Sequence, residues 1–190
     1  KTSVTHMLRH VLESMLCKCG LIGTVGCFTP AADTPVCGED GQVYSGMTTP
    51  DPAELYPLLA RMLADSPPDS SKPPVVVMEV TSHALLLGKV APLTFDLAIF
   101  TNLSSEHMDM HGTMEDYYRA KLLLFEVSRE VVVNADDRWG RRLLSEPLPV
   151  HHYHICHAEG LRNLSPDRMC PAGEGTCTRF YAEQVKSLGE

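Results

Sequence analysis

The chain has 190 residues, 44% of them hydrophobic and 21% charged, with a formal net charge of −8; this suits a globular domain with a real core. The acid excess repels a phosphate backbone and argues against nucleic acid as a partner, and no apolar run reaches the ~20 residues that cross a bilayer. Seven cysteines with no Cys-x-x-Cys pair read as free thiols of a reducing cytoplasm, not as a disulfide framework.

No signal segment opens the chain, and the first residue, Lys1, sets the expectation that the sequence begins inside a longer protein. Val4, Met7, Leu8, Val11, Leu12, Met15 and Leu16 recur at helical spacing, which predicts an amphipathic helix over 4–19 stopped by Gly20. A strand is predicted over 21–28. A turn at Glu39-Asp40-Gly41 introduces a second strand over 42–47, and Pro50-Asp51-Pro52 opens a helix over 51–65. Residues 65–74 are rich in Pro and Ser and read as a loop. Val75 to Val80, Leu97 to Phe100 and Val131 to Asn134 are short β-branched or apolar runs of the kind that form buried parallel strands. Helical patterns at 82–87, 114–126 and 136–144 separate them. Strands alternating with helices predict an α/β fold, a mostly parallel sheet flanked by helices, with a smaller antiparallel portion. Short strands are expected in the less periodic tail, 151–190. There is no internal repeat and no low-complexity tract.

In open parallel sheets ligands sit beyond the carboxyl ends of the strands. Three such ends carry polar groups here: Glu79-Val80-Thr81-Ser82-His83, the run from Thr101 to Asp109, and Asn134-Ala135-Asp136-Asp137. Acids, hydroxyls and imidazoles in these places suggest a metal and phosphate site. Ser82 and Asp136 also read as ordinary helix N-caps. Glu79 resists so plain a reading, because an acid within a Val-rich strand needs a partner. Lys121 stands out on a helical wheel of 114–126. Met114, Tyr118 and Phe125 share one face, flanked by Tyr117, Leu122 and Leu124, and Lys121 falls in its middle. Burial favours the neutral amine, which can capture carbon dioxide as a carbamate, a carboxylate able to hold a metal. The plainer alternative is a lysine that snorkels to the edge of the face. Lys1-Thr2-Ser3, just before the first helix, stand where a phosphate loop would end.

Together these segments resemble the Mur ligase family, most closely its MurE branch. The family's phosphate loop ends in Gly-Lys-Thr, matched by Lys1-Thr2. Its Thr-Thr-Pro segment is matched by Thr48-Thr49-Pro50-Asp51-Pro52, and its Glu-Val-Ser-Ser-His by Glu79-Val80-Thr81-Ser82-His83. The longest match runs from Phe100-Thr101-Asn102-Leu103 through His107-Met108-Asp109-Met110-His111-Gly112-Thr113-Met114-Glu115 to Ala120-Lys121. Asn134-Ala135-Asp136-Asp137 and Gly140-Arg141-Arg142 complete it. The resemblance covers roughly residues 1–145 well and the tail loosely.

It implies that residues 1–190 are the P-loop-type central domain, truncated at both ends, of an ADP-forming ligase whose N-terminal UDP-binding and C-terminal domains are absent, so that the isolated chain is inactive. The implied reaction adds diaminopimelate or L-lysine to UDP-N-acetylmuramoyl-L-alanyl-D-glutamate through an acyl phosphate, in cell-wall synthesis. Lys1, Thr2 and Ser3 would contact ATP, with Thr2 on Mg2+. Glu79, His107 and a carbamylated Lys121 would hold a second Mg2+. Thr48, Thr49, Thr81 and Lys89 would contact the UDP-muramoyl dipeptide. Four departures accompany the match: Met47 where an asparagine is usual, Leu87 for a polar residue, Lys89 for an arginine and Glu106 for an aspartate. Two alternatives are another Mur or folylpolyglutamate-type ligase and a metal-binding module built on His151-His152-Tyr153-His154-Ile155-Cys156-His157.

Overall fold

The computed structural model describes residues 1–15, 18–30, 36, 46–65, 74–105, 108–146, 152–157 and 176–181. The chain forms two compact units, Lys1–Val90 and Ala91–Glu190. Both are α/β, with helices flanking parallel strands as the alternating pattern predicts.

In the first unit β1 (Cys19–Gly23) lies between β2 (Gly26–Phe28), antiparallel to it, and β3 (Val75–Met78), parallel to it. The single strand expected over 21–28 is therefore a hairpin. Gly23 pairs with Gly26 around Thr24-Val25, and Gly26 takes φ 141°, which a side chain would resist. Of the second strand expected over 42–47, Gly46 and Met47 are not in a strand and the rest lies outside the described residues, as does the turn at 39–41.

Helix α1 spans Thr2–Ser14, starting earlier and ending sooner than expected, because Cys19 and Gly20 are taken up by β1. Its packed face also differs. Thr5 and Arg9 are buried and Leu8 and Leu12 half-buried, whereas Val4, Met7, Val11 and Met15 are exposed. Arg9 can face inward because its guanidinium lies 5.1 Å over the Phe28 ring and its Nε pairs with Glu13 at 2.9 Å. Helix α2 (Pro52–Ala64) begins at Pro52, where the missing N–H costs nothing, and buries Leu55, Leu58 and Met62. Helix α3 is Ser82–Leu86.

The second unit is a four-stranded parallel sheet in the order β4 (Phe95–Phe100), β5 (Ser128–Asn134), β6 (His152–His157), β7 (Thr176–Tyr181). The tail thus supplies two short strands, as expected. Helix α4 (Met108–His111) was not foreseen. Helix α5 (Met114–Glu126) has the expected bounds, and α6 covers Arg138–Leu143. Thr113 caps α5 by accepting from the Asp116 N–H at 3.1 Å, and Glu115 and Asp116 complement the positive end of its dipole. Tyr118 and Phe125 of α5 pack with Ala98, Phe100, Val131, Val133, Trp139 and Leu143 into the core of this unit.

Candidate functional site

Glu79 follows β3 directly, and its N–H donates to the Ile22 carbonyl at 2.8 Å, so the β1–β3 register fixes its position. Its side chain is buried, 2% exposed. Three donors hold the carboxylate. The Thr24 N–H reaches Oε1 at 3.1 Å, the Thr24 hydroxyl reaches Oε2 at 3.2 Å, and the Thr2 hydroxyl from α1 reaches Oε2 at 3.1 Å. All three are neutral, and among the described residues no basic side chain forms an ion pair with Glu79. A buried carboxylate without a counter-ion is costly. An all-oxygen donor set of carboxylate and hydroxyl suits a hard divalent cation such as Mg2+, with water and phosphate oxygens completing the shell. Thr2 and Glu79 therefore fit the two Mg2+ ions that the resemblance implies, Thr2 the first and Glu79 the second.

Helix α1 adds an anion-binding feature beside this acid. Its first turn holds no acidic residue, and Lys1 is its N-cap. The first amides of a 13-residue helix and a lysine at its start favour phosphate. Lys1 and Ser3 are exposed and Thr2 is half-buried.

The threonines expected to meet a substrate divide by burial and bonding. Thr49 is 3% exposed; its hydroxyl donates to the Glu79 carbonyl at 2.9 Å and accepts from the Thr81 N–H at 3.0 Å. That hydroxyl ties the loop before α2 to the end of β3. Thr81 caps α3, its hydroxyl accepting from the Ala84 N–H at 3.2 Å. The cap is thus Thr81, not the Ser82 that the sequence suggests. Thr48 is half-buried, with its hydroxyl 3.0 Å from that of Thr24. Lys89, 8% exposed, has its Nζ 2.6 Å from Asp51 Oδ1 and 3.8 Å from Met47 Sδ. Two of the four departures from the family pattern, Met47 and Lys89, are therefore in contact, and Asp51 neutralises the lysine expected to face a substrate.

In the second unit, Lys121 is half-buried rather than central to the core, with its Nζ 5.8 Å over the Tyr117 ring. His111, 7% exposed, is stacked on the same Tyr117 ring at 4.5 Å and 12°. The wheel misplaces Lys121 by little: Tyr118 and Phe125 are its buried neighbours, and Lys121 lies toward Tyr117 at the rim. His107 and Glu106 lie outside the described residues. The Asn134 side-chain amide donates to the Thr101 carbonyl at 2.9 Å, and its oxygen accepts from the Asp136 N–H at 3.0 Å, joining the ends of β4 and β5. Asp137, not Asp136, caps α6, accepting from Trp139 and Gly140 at 3.0 and 3.1 Å. Arg142 lies over the rings of Tyr118 and Trp139 at 4.6 and 5.4 Å and bonds Glu115 at 2.8 Å. That guanidinium holds the Glu115 carboxyl below the usual carboxylate range, a structural role that the sequence motif alone does not reveal.

The residues that sequence reasoning missed are Gly23 and Thr24. A Cβ on Gly23 would stand 2.5 Å from Glu79 Oε1, so glycine there leaves the carboxylate its place. The available signal was Gly23-Thr24-Val25-Gly26, glycines flanking two turn residues. Of the proposed zinc ligands in the tail, only the His154 side chain is described; it bonds Glu130 at 2.8 Å. Among the described residues no group of three or more His, Cys, Asp or Glu side chains is placed to hold a metal, and no helix is long and apolar enough to cross a membrane.

The family model of the Mur ligase middle domain matches residues 1–161. Similar proteins include three named UDP-N-acetylmuramoyl-L-alanyl-D-glutamate–2,6-diaminopimelate ligase. That of Pseudomonas putida is 43% identical over 149 residues, covering 77% of this chain and 27% of that protein. That of Streptomyces coelicolor is 47% identical over 137 residues, covering 70% and 24%. Ligase 1 of Clostridium acetobutylicum is 38% identical over 146 residues, covering 77% and 27%. A solved structure of a ligase of that name superposes with a TM-score of 0.64 at 22% identity, over 85% of this chain and 31% of that one, which shows the shared fold. The chain thus spans about a quarter of the length of the curated relatives it matches.

Proposed function

The chain belongs to the Mur ligase family, as its middle domain, and from that premise we propose that the protein carrying it is an ADP-forming amide ligase of cell-wall synthesis in the cytoplasm. Its substrates are ATP, UDP-N-acetylmuramoyl-L-alanyl-D-glutamate and an amino acid. The names of its relatives favour diaminopimelate over lysine. The observation that carries the reading is the buried Glu79 carboxylate, held among the described residues by neutral donors and bonded to Thr2 in the first turn of α1.

The chemistry follows from those positions. The substrate carboxylate oxygen takes the γ-phosphoryl group of ATP, and ADP leaves. The amine then attacks the acyl phosphate carbon, loses a proton, and phosphate departs. Lys1 and the first amides of α1 hold the phosphates, and Thr2 and Glu79 supply oxygen ligands. Magnesium bound there would neutralise charge on the transferring group. Thr48 and Thr81 face the muramoyl substrate, while Thr49 acts by fixing the loop that carries Thr48. Lys89 takes part with its charge already balanced by Asp51. We assign His107 and a carbamylated Lys121 as metal ligands. For Lys121 the support is its half-buried place beside Tyr117.

The test is phosphate release by the protein carrying this chain, given ATP, Mg2+ and the UDP-muramoyl dipeptide, with diaminopimelate and lysine supplied separately. Release that requires diaminopimelate is the expected result. No release with either amino acid, from folded protein that binds ATP, overturns the proposed reaction.

A further inference from the structure

We propose that Thr24 is a positioning residue that orients Glu79 and, through its own hydroxyl, fixes Thr48 as a hydrogen-bond acceptor toward the ligand. The proposal rests on the reading of Glu79 as a magnesium ligand. A threonine hydroxyl has one proton to donate and two lone pairs. The Thr24 hydroxyl has two neighbours, Glu79 Oε2 at 3.2 Å and Thr48 Oγ at 3.0 Å. As a carboxylate, Glu79 only accepts, so the Thr24 proton goes to Glu79. The contact with Thr48 then needs a proton from Thr48. The order is fixed as Thr48 to Thr24 to Glu79.

Two consequences follow. Thr24 grips both carboxylate oxygens, Oε1 by its N–H and Oε2 by its hydroxyl. This sets the carboxylate plane against the Thr2 hydroxyl, which shares Oε2. Thr48, half-buried, has its proton turned inward and only lone pairs left for a ligand. It therefore recognises an N–H or O–H donor, such as a peptide amide or a sugar hydroxyl, and cannot donate to a carboxylate or phosphate. One chain of three side chains thus couples cation and ligand binding, since a cation that draws on Glu79 polarises both hydroxyls.

The experiment compares Thr24→Val, Thr24→Ser and Glu79→Gln in the protein carrying this chain. Mn2+ affinity with nucleotide present is read by electron paramagnetic resonance, and KM and kcat for the muramoyl dipeptide are measured alongside. Valine keeps the shape and the backbone N–H but removes the hydroxyl. Loss of one bond to a charged group corresponds to about a tenfold to hundredfold change. Thr24→Val is expected to weaken Mn2+ by about tenfold or more and to raise KM, and Thr24→Ser to restore both. Wild-type Mn2+ affinity and KM in Thr24→Val, or a Thr24→Ser protein as impaired as Thr24→Val, overturns the proposal. If Glu79→Gln also leaves Mn2+ affinity unchanged, the metal reading itself falls; if Glu79→Gln alone weakens Mn2+, only the role of Thr24 does. An ester in place of the substrate amide, and separately a deoxy sugar, show which donor Thr48 takes. Wild-type affinity for both analogues refutes the acceptor assignment.

Discussion

Replacing Gly23 with alanine puts the geometry around Glu79 to a quantitative test. Gly23 does not adopt a positive φ, so its backbone accepts alanine without strain. That exchange by itself stabilises by about 0.4–1 kcal/mol through the unfolded chain. The conflict lies with one side chain. The new Cβ would stand 2.5 Å from Glu79 Oε1 and 3.2 Å from its Cγ and Cδ. Because the Glu79 backbone is held to Ile22, the carboxylate must swing away, and the bond from the Thr24 N–H is the first to go. A hydrogen bond to a charged group is worth about 1.5–3 kcal/mol. The net expectation is a loss of ~1–2 kcal/mol, which for a chain of this size lowers the melting temperature by roughly 2–8 °C. Glu79→Ala removes the obstacle, so Gly23→Ala added to Glu79→Ala should cost nothing further. The difference between the two backgrounds is the coupling energy. Thermal melts of the four proteins read it. Equal effects of Gly23→Ala in both backgrounds, or a gain in stability in the wild-type background, would refute the claim that glycine is there to seat Glu79.

Lys121→Ala is expected to abolish turnover, and short carboxylates added in trans should restore part of it; full activity in the variant would remove the carbamate from the mechanism. Phe125, 1% exposed in the core of the second unit, should cost about 3–5 kcal/mol when cut to alanine, measured by denaturant unfolding; a loss below about 1 kcal/mol would mean that the core is not packed as described. Burial pushes the Cys27 thiol from 9.0 to about 11. At pH 8 only about one molecule in a thousand is thiolate, so iodoacetamide should leave Cys27 unlabelled in folded protein, as peptide mass spectrometry would show. The same shift has a stability consequence: the unfolded chain releases this proton first, so the contribution is present below pH 9 and is lost as pH rises toward about 11. A flat stability profile between those values would contradict it.

The sequence alone determined the α/β class, the places of three parallel strands and the bounds of α5, because β-branched runs and 3.6-residue periodicity report local structure directly, while its motifs carried the family resemblance; β3 and β4 are less buried than their apolar runs suggest. It also marked Glu79, since an acid against a run of valines is anomalous whatever surrounds it. Tertiary structure decided the rest. The glycines around Thr24-Val25 turned one expected strand into a hairpin. Pairing with β3 as well as β2 consumed Cys19 and Gly20 and so shortened α1. A helical wheel ranks faces without knowing the neighbours, so it put Val4, Met7 and Val11 inward, where Thr5 and Arg9 are the buried pair because Phe28 and Glu13 receive the arginine. For the same reason it set Lys121 in the middle of the apolar face, when the side chain is half-buried with its Nζ 5.8 Å from the centroid of the Tyr117 ring. Thr49 and Thr48 are adjacent and identical in the sequence. Only the partners brought to them from tens of residues away make one a buried strut between the loop and the end of β3 and leave the other half-buried beside Thr24.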